Sequence, residues 1–160
     1  MYCRKVMNMD KPLKWHKFLI YFSLWVSAVF VCLRGAGFVL LGILGDDSSQ
    51  IFQLSGVKAL NVIYGILYLA CAVYHIYTRY QLARFRVGAP KHLLILYVIV
   101  PAIELVYAPL MLLAAGLPIS LLLTDPAKAI GGTIGAVTGT WIVCILNKIY
   151  YDKRKELFIN

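Results

Sequence analysis

Two charged residues lie inside long apolar stretches of this 160-residue chain. Glu104 is the one charged residue of the run 93–123, and Arg34 is the one charged residue of the run 18–44. A charge within a bilayer is costly unless it is paired or faces water, so residues of this kind mark ion, proton or substrate sites. The two residues are therefore the first candidates for chemistry, with Glu104 exchanging a proton or cation and Arg34 tuning it.

The same two residues have a purely structural interpretation. An internal ion pair between Arg34 and Glu104 would lock two helices together, with tyrosine and threonine hydroxyls hydrogen-bonded around it. The two interpretations differ in hydration, because a pathway needs water at Glu104 and a latch keeps it dry. The sequence leaves both open.

The composition is that of a membrane protein. Hydrophobic residues make up 61% of the chain, charged residues 14%, and the mean hydropathy is +0.77, which excludes an ordinary soluble globule. The sequence predicts one all-α membrane domain over 1–160, a polytopic up-down bundle of four transmembrane helices. The predicted segments are a basic cytoplasmic segment at 1–17, helices at 18–44, 57–78, 93–123 and 129–150, a basic cytoplasmic loop at 79–92 and a cytoplasmic tail at 151–160.

The distribution of positive charge predicts the orientation. The amino-terminal segment, the loop 79–92 and the carboxyl-terminal end hold 13 of the 16 basic residues, as five, four and four. Lys and Arg accumulate in cytoplasmic loops, so both termini are predicted to be cytoplasmic in a multi-pass protein of the plasma or inner membrane. The net charge of +9 therefore indicates topology and suits contact with anionic lipid head groups, and it does not indicate nucleic-acid binding.

Polar residues follow one face of each predicted helix. In the second helix they recur at spacings of three and four, which places them on a single stripe: Asn61, Tyr64, Tyr68, Cys71, His75 and Thr78. Since lipid-facing surfaces are apolar, the stripes are expected to turn inward. Counting 1.5 Å of rise per residue puts four of the polar residues near the bilayer midplane, as a binding site or a latch: Arg34, Tyr68, Glu104 and Thr140. A secondary polar seam is predicted at Asn61, Tyr64, His75, Tyr97 and Asn147.

Two further features have open alternatives. His75 suggests a proton relay or a metal ligand, but its place near the helix end also suits an interfacial histidine. Gly131, Gly135 and Gly139 form a small-residue ladder, which favours close helix packing. The ladder does not say whether its partner is another helix of the chain, a second copy in a homo-oligomer, or a different membrane protein.

Motifs of catalysis are missing from the sequence. It has no H-E-x-x-H, C-x-x-C, Walker lysine loop or G-x-S-x-G, and its apolar runs hold no pair of nearby carboxylates. We therefore expect no enzymatic activity, no cofactor and no bound metal. Three of the four cysteines lie inside apolar runs, where they are expected to act as small apolar residues.

The chain resembles small bacterial four-helix integral membrane proteins of uncharacterised function. The similarity rests on the segment 11–22, on 62–65 and on 77–79, which read KPLKWHKFLIYF, VIYG and YTR. Some of those proteins carry an amino-terminal zinc ribbon that opens with Tyr-Cys-x-x-Cys. This chain begins Tyr2-Cys3-Arg4-Lys5-Val6 and lacks the second cysteine, so no zinc site is expected. The resemblance implies the four-helix topology and no particular activity.

Two functions compete on the sequence alone. The first is a small ion- or proton-coupled transporter or channel with a midplane Glu/Arg site. The second is a noncatalytic membrane scaffold or accessory subunit that acts through helix packing. Small drug exporters also have four helices and a membrane glutamate, but theirs lies in the first helix, so that analogy gives little support to transport.

Overall fold

The computed structural model describes residues 13–45, 50–121 and 131–158. In these ranges the chain is helical and contains no strand, which confirms the all-α class. Four long helices follow one another along the chain: α1 at Lys14–Leu44, α2 at Ser55–Ala83, α3 at Ala89–Ala114 and α4 at Gly131–Asp152. Predictions for 1–12, including the basic segment and the zinc-ribbon comparison, lie outside the described residues, as do those for 46–49, 122–130 and 159–160.

Three of the helices are long and apolar enough to cross a membrane, namely α1, α2 and α3. Most of the apolar side chains of their outer faces are exposed, as in Leu33, Ile66 and Val98, and this surface suits contact with lipid. α4 is not one of these three candidates, which were found among the described residues alone. The structure therefore supports a membrane protein with at least these three candidate spans.

The helix ends differ from the predicted bounds. α2 continues past the predicted end at 78 to Ala83, because Gln81 and Leu82 are also buried in the bundle. α3 begins at Ala89 and ends at Ala114, well before the predicted 123. Gly116 follows with φ of +71°, a backbone conformation that glycine adopts without steric cost, so the chain turns there.

One end of the bundle holds a well-packed apolar core. It brings together the start of α1, the end of α2, the start of α3 and the end of α4, so successive helices run in opposite directions. Its buried members are Leu19, Ile20, Leu24, Leu82, Ala89, Leu93, Tyr151 and Phe158. A π-helical stretch of α1, Leu19–Ser23, lies here, and the Ile20 carbonyl accepts a hydrogen bond of 3.1 Å from Arg79 Nε of α2. We call this region the basic end, because the loop and tail lysines and arginines surround it.

α1 and α2 pack closely at glycines that the predicted ladder did not include. A Cβ atom on Gly35 would lie 2.9 Å from the Gly65 carbonyl oxygen, and one on Gly42 would lie 2.7 Å from the Lys58 carbonyl oxygen. By contrast, a Cβ atom added to Gly135 or Gly139 of α4 would have no non-local heavy atom within 4 Å. These two ladder glycines do not pack against a helix in the described part of the chain, and packing against a second molecule stays a prediction.

Candidate functional site

A cavity of about 670 Å³ lies among the four helices. All four residues predicted at the midplane line it: Arg34 from α1, Tyr68 from α2, Glu104 from α3 and Thr140 from α4. The sequence analysis predicts a common depth for these residues from the rise of each helix. It predicts that their side chains point inward because they lie on the polar stripes. Most of the remaining wall is apolar, with side chains such as Leu96 and Val100.

Arg34 and Glu104 form a salt bridge in this wall. Arg34 Nη1 donates a hydrogen bond of 2.5 Å to Glu104 Oε1, and this bond joins α1 to α3 across 70 positions of sequence. The side chain of Glu104 is 19% exposed and that of Arg34 is 50% exposed. The pair therefore borders open space, which an ion pair packed within a dry core does not do.

Aromatic rings hold the Arg34 guanidinium from the other side. Its central carbon lies 5.1 Å from the centre of the Tyr68 ring and 6.0 Å from that of Phe38, within the range of a cation–π attraction. Phe38 and Tyr68 stack in parallel, with ring centres 5.5 Å apart. The Tyr68 hydroxyl is buried and has no hydrogen-bond partner among the described residues. The hydrogen-bonding capacity of this hydroxyl is therefore unused, although the oxygen itself is enclosed by protein.

A second layer of polar and aromatic groups lies beside this wall. The Tyr107 hydroxyl donates a hydrogen bond of 2.8 Å to Asn61 Oδ1, and its ring packs edge-on against Tyr64 at 5.0 Å. Phe38 contacts Tyr107 at 4.9 Å, so the layer is continuous with the aromatic groups around Arg34. Asn61 and Tyr64 of the predicted secondary seam therefore support the wall and do not line the cavity.

The other members of the secondary seam lie nearer the basic end. His75 and Tyr97 line the cavity, and His75 Nδ1–H donates a hydrogen bond of 2.7 Å to the Cys71 carbonyl within α2. Asn147 is fully buried in α4, where its Oδ1 accepts a hydrogen bond of 3.0 Å from Trp15 Nε1 of α1. Of these residues, His75 and Tyr97 therefore line the cavity, whereas Asn147 joins two helices.

The polar stripe of α2 is turned inward along its whole length, as its spacing predicts. All six of its members are buried: Asn61, Tyr64, Tyr68, Cys71, His75 and Thr78. Thr140 of α4 donates its hydroxyl hydrogen to the Ala136 carbonyl at 2.9 Å, so this hydroxyl meets the cavity as an acceptor. The polar part of the cavity wall therefore includes the paired carboxylate and guanidinium and the Thr140 hydroxyl oxygen.

A metal centre is not formed by the described ranges, in which no three His, Cys, Asp or Glu side chains cluster. Sequence reasoning missed Phe38 as a contact of Arg34, although it lies four positions further along α1 and hence on the same helical face. It also did not identify the hydrogen bond between Trp15 and Asn147. These two residues lie 132 positions apart in the sequence, so no spacing pattern predicts their contact.

Comparisons with known proteins add no relative to this description. No family model, no characterised protein and no solved structure matches the chain.

Proposed function

We propose that this chain is a multi-pass protein of the plasma or inner membrane, with four spans and both termini in the cytoplasm. Length and composition support α1, α2 and α3 as three of the spans. In this proposal α4 is the fourth, since its 22 residues extend over about 33 Å. Its end contacts the start of α1, through Asn147 with Trp15 and Tyr151 with His16.

The proposed activity is transport of protons or a small cation through the cavity, with Glu104 as the exchanging group. The observation that carries this proposal is the position of the Arg34–Glu104 salt bridge in the wall of a cavity of about 670 Å³. A latch between helices needs only tight packing around the pair. A cavity, a half-exposed Arg34 and a buried Tyr68 hydroxyl without a partner among the described residues suit a site that admits something else.

The proposed mechanism follows from the two partners of Arg34. When Glu104 takes up a proton or a cation, its attraction to the guanidinium falls, and Arg34 remains over the rings of Tyr68 and Phe38. Glu104 is flanked within α3 by Pro101 and Pro109. Each proline removes one backbone hydrogen bond, so α3 can bend on either side of Glu104 when the ion pair opens. Bending would expose the carboxylate to alternate ends of the cavity.

The test is ion uptake by the purified full chain in vesicles that contain a trapped pH-sensitive dye. The probe is the proton itself under an imposed pH gradient, with Na⁺ or K⁺ gradients in parallel. Glu104→Gln keeps a carbonyl oxygen for Arg34 but cannot exchange a proton. We expect it to reduce uptake to the level of protein-free vesicles.

Glu156→Gln is the matched control, because it makes the same change at an exposed residue of the turn Lys155–Leu157. It should transport as the unchanged chain does. Equal uptake by the Glu104→Gln and Glu156→Gln variants, with both correctly folded, would rule out Glu104 as the exchanging group.

A scaffold or accessory subunit is the second candidate function. The open surroundings of Gly135 and Gly139 favour it, because these glycines leave a helix face that another helix can approach closely. Under this hypothesis Gly135→Leu should lower the oligomeric mass measured in mild detergent. Gly37→Leu is the control, since Gly37 also has open surroundings but lies on α1. If both variants keep the mass of the unchanged chain, α4 is not the face of association.

A further inference from the structure

A second cavity lies at the basic end, between the start of α3 and the end of α4. Its volume is about 470 Å³. We call it the lysine groove, after Lys91 of α3, Lys148 of α4 and Lys155 of the turn that follows α4. It shares no lining residue with the cavity at Glu104, so it is a separate site.

The groove has excess positive charge. Asp152 is the one acid among its lining residues, and it pairs with Lys155 at 3.2 Å. Lys91 and Lys148 have no carboxylate of the described ranges within salt-bridge distance. Three cations against one acid leave two positive charges unbalanced, and they come from two helices that face each other across the groove.

The backbone of α3 adds to this positive field. Gly88 lines the groove as the residue before α3, and its φ of +87° lets the chain enter the helix there. The positive end of the dipole of this 26-residue helix therefore lies at the groove. An anionic oxygen in the groove would lie near lysine side chains of both α3 and α4. The first N–H groups of α3 are bonded within the turn, so the helix end contributes its dipole and no free donor.

The rest of the groove is apolar and continues along α3 toward the bilayer. Leu94 lines the groove, and Val98 lies one turn further on the same face of α3, 52% exposed. On the other side the groove is bounded by Tyr151 and Phe158 of the apolar core. A ligand with a phosphate head and hydrocarbon chains would contact both the charged and the apolar parts of the groove. A soluble anion would contact only the charged part.

We propose that the lysine groove binds the head group of an anionic phospholipid, with the phosphate at Lys91 and Lys148 and the acyl chains along the Leu94 and Val98 face of α3. Basic pockets between membrane helices at the cytoplasmic side are suited to such head groups. The proposal depends on membrane insertion and is independent of transport through the Glu104 cavity.

The test is lipid retention by the full chain, measured by native mass spectrometry after release from bilayers of phosphatidylglycerol and phosphatidylcholine. The unchanged chain should retain phosphatidylglycerol in preference. In Lys91→Gln/Lys148→Gln the preference should fall by about fivefold for each lysine removed. Lys14→Gln/Lys153→Gln is the control, because it removes two exposed charges at the same end of the bundle outside the groove. It should keep the preference, and all variants should retain the same melting temperature in detergent.

Three results would overturn the proposal. The first is equal retention of phosphatidylcholine and phosphatidylglycerol by the unchanged chain. The second is an equal loss of preference in the groove and control variants, which would indicate general surface charge. The third is complete displacement of phosphatidylglycerol by inorganic phosphate, which would make the groove a phosphate site in place of a lipid site.

Discussion

Arg34 has more favourable contacts than Glu104, and this difference bears on which of the two residues can lose its charge at the lower cost. The guanidinium of Arg34 contacts a carboxylate and lies near two aromatic rings, those of Tyr68 and Phe38. The charge of Glu104 is balanced by Arg34 alone among the described residues. Neutralising Glu104 therefore leaves Arg34 with favourable contacts, whereas removing Arg34 leaves a carboxylate with no cation. In the proposed transport, Glu104 is therefore the side chain of this pair that exchanges charge.

At the residue scale, the latch interpretation predicts that Glu104→Ala lowers the free energy of unfolding in detergent by about 3 kcal/mol, as in a buried ion pair that loses one partner. A pair that borders open space, as the transport proposal has it, predicts a loss of about 1 kcal/mol or less. Adding Arg34→Leu should recover part of that loss, because the remaining charge is then removed as well. Denaturant unfolding of the four chains of this double-mutant cycle measures the coupling. Additive losses in the double variant would show that the two residues do not stabilise each other.

The sequence placed the two charges at one depth and left open whether they pair, and it did not identify Phe38 beside Arg34. Two charges in apolar runs need partners, and the constant rise of a helix gives their depth, so Arg34, Tyr68, Glu104 and Thr140 could be placed at one level. Phe38 could not be selected, because aromatic residues also occupy lipid-facing positions of membrane helices. Whether Phe38 faces lipid or packs beside Arg34 against α2 depends on the rotation of α1 relative to α2, and tertiary packing sets that rotation.

At the element scale, the packing of α1 on α2 shows what a glycine pattern can and cannot predict. Glycines permit close approach of backbones, but they do not identify the helix that approaches. The glycine ladder of α4 was the more regular pattern, yet α1 and α2 meet at Gly35, Gly42 and Gly65. A Cβ atom on Gly65 would lie 2.8 Å from the Gly35 carbonyl oxygen and 2.5 Å from Val39 Cγ2.

We therefore predict that Gly65→Ala separates α1 from α2 and lowers the free energy of unfolding by about 1 to 3 kcal/mol, the usual cost of overpacking. The obstacle on one side is backbone, which cannot rotate away as a long side chain can. Gly37→Ala adds the same methyl group where no neighbour lies within 4 Å and should be neutral. Thermal unfolding of both variants in detergent measures the difference, and equal melting temperatures would contradict the role of Gly65.

At the scale of the whole molecule, the basic end joins the first helix to the last. Trp15 of α1 donates to Asn147 of α4, and His16 of α1 is hydrogen-bonded to Tyr151 of α4 at 3.0 Å. These contacts connect positions more than 130 residues apart, which no local pattern can foresee. They fix the end of α4 on the same side of the bundle as the start of α1.

This contact leads to a prediction about the topology, in which α4 is the decisive helix. With the four natural cysteines replaced by alanine, Val87→Cys and Lys153→Cys should react with a membrane-impermeant maleimide only after cells are permeabilised. Gln53→Cys, in the turn before α2, should react in intact cells. The reason is that α3 carries the chain away from the side of Val87, and α4 must cross to bring Lys153 back beside the start of α1.

The three positions separate the alternatives for α4. Labelling of Lys153→Cys in intact cells, with Val87→Cys still protected, would mean that α4 does not cross and that only α1, α2 and α3 span the bilayer. Protection of both Val87→Cys and Lys153→Cys, with Gln53→Cys labelled, requires that α4 cross despite its glycines and threonines. A helix of that composition is stable in a bilayer when its polar face meets protein, and Asn147 and Thr140 lie on the inward side of α4 in this bundle. The inward contacts of α4 are thus the physical reason to expect a fourth span.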